Sequence, residues 1–264
     1  MKILIKGAGD LATGIGIRLV RAGYDVLMTE TSVPTTVRRY VAFSRAVYEK
    51  EALVEDRRAV LIEDEMQIEA LQKRGIVPVV VDETAGISEV YHPEVIVDAI
   101  IAKVNIGTKI TEAPFVIGVG PGFEAKKDCH AVIETKRGHY LGTVLWEGSA
   151  IPNTGVPGNI GGYTTERIIR ATAEGNFEPI AKIGELVKKD QVVAFSGSEP
   201  VYAQMEGIVR GMLQPGVHVV KGMKTGDIDA RCEREHCYTV SDKARAIGGA
   251  VLEAVCCYEH KSKM

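Results

Sequence analysis

Along the first hundred residues, short apolar runs alternate with stretches of helical apolar spacing. Ile3-Leu4-Ile5 is a run of the kind a buried parallel strand presents on both faces. Apolar residues then recur at Leu11, Ile15 and Leu19, with Ile17 and Val20 beside them, and Gly23 follows. That spacing predicts a helix with one buried face and a glycine at its C-terminal end. Val26-Leu27-Met28 predicts a second strand closing at Thr29-Glu30, and further runs predict strands at Arg57–Ile62, Val77–Val81 and Val95–Asp98. Between the first two of these, Asp64 to Lys73 reads as an amphipathic helix. Strands alternating with helices are the pattern of a parallel sheet with crossover connections.

From about Thr111 the pattern changes to short strands and glycine-rich turns, including Gly118-Val119-Gly120-Pro121-Gly122-Phe123 and a long polar loop around Asn153–Gly162. A faint repeat follows, Gly184-x-x-Val187 echoed by Gly216-x-x-Val219, as two related β-halves would require. The chain closes on a helix starting at Ser241-Asp242. Gly248-Gly249 inside it costs about 1 kcal/mol per glycine relative to alanine, which predicts close approach of a backbone or a ligand.

The fold class expected is therefore α/β. An N-terminal Rossmann-like parallel sheet (1–110) precedes a β-rich glycine-loop region (111–177), a barrel-sandwich, lipoyl- or biotinyl-like module (178–230) and a C-terminal helical segment (231–264). No lysine lies between Lys189 and Lys221, so the module is expected to carry no lipoyl or biotinyl group.

Candidate chemistry sits at Gly7-Ala8-Gly9-Asp10-Leu11-Ala12-Thr13-Gly14, which contains G-x-G-x-x-A directly after a strand and at the start of a helix. Gly7 permits a tight turn, Gly9 lets the backbone approach a pyrophosphate, and Ala12 is small enough for close helix–strand contact. The helix N-terminus favours an anion there. Glu30, about 20 residues on, stands where a ribose-binding acid is expected. These features predict a nucleotide or dinucleotide ligand, NAD(P) or of the molybdopterin type. Gly120 and Gly122 are further turn candidates, and Arg137 with His139 are the polar groups expected to meet an anionic ligand. Arg38-Arg39 reads as a solvated pair, with phosphate contact as the alternative. Asp227 and Asp229 share one side of a strand and are expected to form ion pairs.

The 264 residues carry a net charge of −3 with no basic tract, which argues against nucleic acid or an anionic membrane as partner. No apolar run approaches the length of a membrane span. The opening residues run straight into a strand, so a cytoplasmic protein without a leader is expected, as a homo-oligomer. Five cysteines cannot all pair within the chain, and free thiols are expected. Cys232 to Cys237 lacks the partners of a structural zinc site, and no metal is expected.

Taken together, several segments resemble one family: Gly7–Gly14, Met28-Thr29-Glu30, Val37-Arg38-Arg39, Gly120-Pro121-Gly122-Phe123, Glu134-Thr135-x-Arg137-Gly138-His139, Asn153-Thr154-Gly155-x-Pro157-Gly158, Gly226-Asp227-Ile228-Asp229 and Ser241–Gly249. The family is the selenium-dependent molybdenum hydroxylase accessory proteins of the YqeB type, and the resemblance runs nearly the whole chain. Ala230 departs from it where the family prefers proline, which would loosen the turn orienting Arg231. The resemblance implies maturation of a molybdenum hydroxylase, with that enzyme or its maturation machinery as partner and a nucleotide-bearing molybdenum cofactor at Gly7–Gly14. The residues themselves also admit an NAD(P)-dependent oxidoreductase or a non-catalytic scaffold.

Overall fold

The computed structural model describes residues 1–262. The chain divides into two compact units: one comprises Met1–Pro34, Ala42–Thr154 and the chain from Val240 onward, the other Thr35–Val41 and Gly155–Thr239.

The larger unit contains β1 (Lys2–Lys6), α1 (Asp10–Arg21), β2 (Asp25–Glu30), α2 (Ala46–Glu49), β3 (Glu51–Val54), β4 (Arg57–Ile62), α3 (Gln67–Gln72) and β5 (Val77–Val81). It continues through α4 (Ser88–Tyr91), β6 (Val95–Asp98), β7 (Phe115–Val119), β8 (Glu124–Ala125), β9 (Ala131–Ile133), β10 (Val144–Leu145), β11 (Gly148–Ser149) and α5 (Asp242–Ser262). Nine of its strands form one sheet in the order β10-β9-β7-β6-β1-β2-β5-β4-β3. The inner strands are parallel, while β3 and β10 run antiparallel to their neighbours at the two edges. Leu4, Leu27, Ile96, Val116 and Val132 face one side, where Ile68, Tyr91 and Phe123 complete a core cluster. On the other side lies α1, whose Gly16 sits so near the sheet that a Cβ there would be 3.4 Å from the Met28 sulfur. α5 crosses α1 at two glycines. A Cβ on Gly14 would lie 2.8 Å from the Ala244 Cβ, and one on Gly248 would lie 2.7 Å from the Gly14 carbonyl oxygen. Gly248 thus answers to backbone approach, whereas a Cβ on Gly249 would meet nothing within 4 Å.

The expected series of a Rossmann-like sheet, a barrel-sandwich module and a separate C-terminal helix is corrected here. The sheet does not close with the first 110 residues, because β7, β9 and β10 extend it. The connections from β6 to β7 and from β7 to β9 contain no helix. The C-terminal helix is no separate segment but packs on α1. Apolar runs alone reveal parallel strands, and they do not reveal whether a helix or a loop carries the chain back between them.

The smaller unit holds β12 (Ile168–Arg170), β13 (Gly175–Pro179), β14 (Leu186–Val187), β15 (Val192–Ser196), β16 (Glu199–Tyr202), β17 (Gly207–Met212), β18 (His218–Val219) and β19 (Lys224–Asp229). They form two four-stranded antiparallel sheets, β12-β19-β17-β14 and β16-β15-β13-β18. The segment before Val41 joins this unit, with the Met212 amide donating to the Val37 carbonyl at 2.8 Å. Asp227 and Asp229 are buried and ion-paired: Asp227 to Arg167, Asp229 to Arg231 at 2.6 Å and to Arg210 at 3.7 Å. Ala230 in place of proline does not release Arg231, which also donates its backbone amide to Asp229 at 3.0 Å. Arg38 is not solvated. It is 8% exposed and its Nη2 donates to the carbonyls of His236 and Thr239, both at 3.0 Å.

Among the described residues no helix is long and apolar enough to cross a membrane, and all five cysteines are free thiols.

Candidate functional site

In the larger unit, β1 leads outward to β2 on one side of the sheet, and the chain later returns to β6 on the other side of β1. The carboxyl ends of such diverging parallel strands leave a crevice in which open α/β sheets bind ligands. Lys6 of β1, Asp98 of β6 and Gly118 of β7 stand in register at this end.

The loops above it are held by specific bonds. Gly7 takes φ +91° and donates its amide to the Thr29 carbonyl at 2.9 Å. The Glu30 carboxylate accepts the Ala8 amide at 3.0 Å and the Thr31 amide at 2.9 Å. Burial pushes Glu30 above the usual carboxylate range, against the pull of those amides. Glu30 thus fastens the glycine turn itself. Gly9 stands at the N-cap of α1 with extended backbone, and among the described residues no side chain caps that end. Thr13 is buried and donates its hydroxyl to the Ala8 carbonyl at 3.2 Å while accepting the Phe43 amide at 2.8 Å. Ala12 is fully buried, and Gly14 serves the crossing with α5.

After β6, the buried Asp98 accepts the Thr108 hydroxyl at 2.6 Å, and Lys6 donates to that hydroxyl at 2.9 Å and to Glu112 at 2.5 Å. Asn105 accepts the amides of Gly107 and Thr108 at 2.9 and 2.8 Å. Between these anchors, Ile101 and Lys103 both adopt left-handed φ, +63° and +71°. A β-branched residue there carries backbone strain of about 1–3 kcal/mol, which surrounding structure must enforce. The Gly120–Gly122 turn abuts this loop: a Cβ on Gly122 would lie 2.6 Å from the Val104 Cα, and one on Gly120 2.9 Å from the Thr135 hydroxyl. These two glycines answer to packing.

The buried Glu134 carboxylate accepts the amides of Lys136 and Ile151 at 2.6 and 2.7 Å, fixing the turn that carries Arg137. The Arg137 guanidinium grips Asp242 at the start of α5 in a two-pronged pair. His139 is exposed and meets the Tyr140 ring edge-on at 4.9 Å.

Next to Asp242 stands the residue that sequence reasoning missed. Lys243 is half-buried, and among the described residues it makes no hydrogen bond or ion pair. Loss of hydration, with Lys103 and Arg137 as cationic neighbours, lowers its ammonium to about 8, and Asp10 and Glu134 oppose this only in part. Lys103 is likewise lowered by desolvation, although much of its side chain remains exposed. The structure thus brings the anticipated Asp10 and Arg137 together around Lys243, with Lys103, and leaves His139 at the surface. The signal for Lys243 was its place in the first turn of the last helix. Nothing in the sequence distinguished it from a solvated lysine.

No protein-family model matches the chain. Its sequence is 49% identical over 259 residues to the uncharacterized protein YqeB of Escherichia coli (strain K12), covering 98% of this chain and 48% of that protein. The chain is a homologue of YqeB. It spans about half the length of that curated relative. Solved structures that resemble it include an aspartoacylase family protein from Mesorhizobium loti, at 10% identity and a TM-score of 0.28 over 86% of this chain and 84% of that one. Another is a succinylglutamate desuccinylase/aspartoacylase from Rhodobacter sphaeroides, at 10% identity and a TM-score of 0.25 over the same shares. Likeness this distant assigns no activity. These findings correct the functional expectation. The homologue is uncharacterized and so supports no accessory role, and the resembling structures are named for aspartoacylase and succinylglutamate desuccinylase. Maturation of a molybdenum hydroxylase is accordingly withdrawn, together with the oxidoreductase and scaffold alternatives and the designation as a Rossmann nucleotide-binding protein with a barrel-sandwich module.

Proposed function

We propose that the larger unit binds a small phosphate-bearing molecule in the crevice at the carboxyl ends of β1 and β6. The observation that carries this is the half-buried Lys243 ammonium, which has no ion-pair partner among the described residues and is held beside Lys103 and Arg137 near the start of α1. Gathering like charges out of water costs free energy, and an anion among them offsets that cost. The amides at the start of α1 and the positive end of its dipole favour a phosphate in the same place. A lysine held near pKa 8 also exchanges its proton readily close to neutral pH, so the site is suited to donating a proton to a bound anion. The assignment of Gly9, Asp10, Lys103 and Lys243 to the site is part of the proposal.

Thermal unfolding with inorganic pyrophosphate, a nucleotide panel and succinate tests the reading. A phosphate ligand at 100 times its Kd should add about 2.7 kcal/mol of stability. The double variant Lys103→Met/Lys243→Met should lose that gain. Equal stabilisation of the variant, a response to succinate alone, or no response to any phosphate compound sinks the proposal.

A further inference from the structure

At the edge of the same unit, away from the crevice residues, lies a cavity of about 520 Å³ walled by aromatic rings. Phe115 forms its floor, only 5% exposed, and stacks face to face on Tyr258 of α5 with centroids 4.8 Å apart and planes 3° from parallel. Trp146 stands 6.3 Å from Phe115 at 31°, and His130 stands 5.4 Å from it. Trp146 is 38% exposed, so its ring is open to a molecule entering the cavity.

Two features give the cavity a charge preference. Lys261 holds its ammonium over the Trp146 ring, 5.3 Å from the centroid, and among the described residues it has no carboxylate partner. Lys126 also lines the cavity, but Glu147 neutralises it. His130 accepts the Val116 amide on Nδ1 at 2.9 Å, so the neutral ring carries its proton on Nε2 as a donor. Burial lowers His130 below the ordinary histidine range and keeps it in that neutral state. Among the described residues no carboxylate side chain lines the cavity.

We infer that this cavity is a second ligand site, separate from the lysine crevice, for a planar aromatic carboxylate. The ring would lie against Trp146 and Phe115, and the carboxylate would meet Lys261. Ring stacking favours a flat apolar body, and the single uncompensated cation selects an anionic substituent over a neutral one.

Trp146 is the only tryptophan in the chain, so its emission reports on this cavity alone. Titration of the full chain with 4-nitrobenzoate should quench that emission along a saturable curve, whereas 4-nitrobenzamide should bind more weakly. Lys261→Gln should weaken 4-nitrobenzoate binding about fivefold, as expected for a partly exposed ion pair, and leave 4-nitrobenzamide unchanged. Lys243→Met should change neither curve. Tyr258→Leu, at a partly buried position, should weaken both ligands. Linear, unsaturable quenching of the wild type overturns the site, and equal affinity for the acid and the amide, or an unaltered Lys261→Gln curve, overturns the assignment of its ligand.

Discussion

Replacing Lys243 by methionine removes a charge that the folded chain holds at a cost, and the cost follows from the site. An ordinary lysine titrates near 10.5, whereas Lys243 is lowered to about 8 by desolvation and by Lys103 and Arg137. That gap corresponds to about 3 kcal/mol, and its partial exposure reduces the expectation to about 2–3 kcal/mol. The sign follows from proton uptake. Below pH 8 native and unfolded chains both carry the proton, so the whole penalty is present. Between pH 8 and 10.5 the unfolded chain holds the proton more often than the native one, so stability rises with pH. Above 10.5 neither carries it and the penalty is gone. Lys243→Met should therefore be more stable than the wild type by about 2–3 kcal/mol in urea unfolding at pH 7. The difference should vanish by about pH 10.5. Equal stability at pH 7, or a gain that persists unchanged at high pH, would refute the reasoning.

The crossing of α1 and α5 makes opposite demands on adjacent glycines. Gly248→Val should cost about 3 kcal/mol or more, because its first carbon alone would press on the Gly14 carbonyl at 2.7 Å. Gly249→Ala should instead raise stability by up to about 1 kcal/mol through helix propensity, since nothing stands within 4 Å of its Cβ position; Tm values for the pair check both signs. In the smaller unit, Arg167→Met strands the buried Asp227. It should cost about 3 kcal/mol in chemical denaturation, less than the full price of an orphaned charge because Lys224 stands 4.0 Å away. A wild-type-like midpoint for that variant would remove Asp227 from the set of buried ion pairs that matter.

How far the sequence reveals this molecule differs between its parts. The strands at Arg57–Ile62, Val77–Val81 and Val95–Asp98 are found at those residues, because each holds a short apolar run with β-branched side chains, which has few other fates. The edge strand Glu51–Val54 is only four residues long, with Ala52 and Val54 buried and Leu53 facing outward, too short an alternation to be read from the sequence. The amphipathic helix expected over Asp64–Lys73 is shorter, beginning at Gln67, and leaves Met66 before it 80% exposed. At the site, the glycine turn and Glu30 were legible as a motif, but their bonding was not. Glu30 is occupied by the turn it was expected to complement. Lys103 and Lys243 were invisible because desolvation depends on which distant segments converge. They lie 140 positions apart, and no local pattern marks their meeting.

The larger unit is assembled from both ends of the chain, with α5 returning to cover α1 after the whole smaller unit has been traversed. A ribosome therefore delivers α1 long before its partner. Until residue 242 emerges, the face bearing Gly14 has no helix upon it, and the crevice lacks Lys243. The contacts that finish this unit are among those of greatest sequence separation, and such closure is slow and leaves apolar surface bare in the interval. A chain lacking α5 would lose Lys243 from the crevice and the cover of α1 together. The glycines that permit a tight crossing thus stay without their partner until α5 has been made.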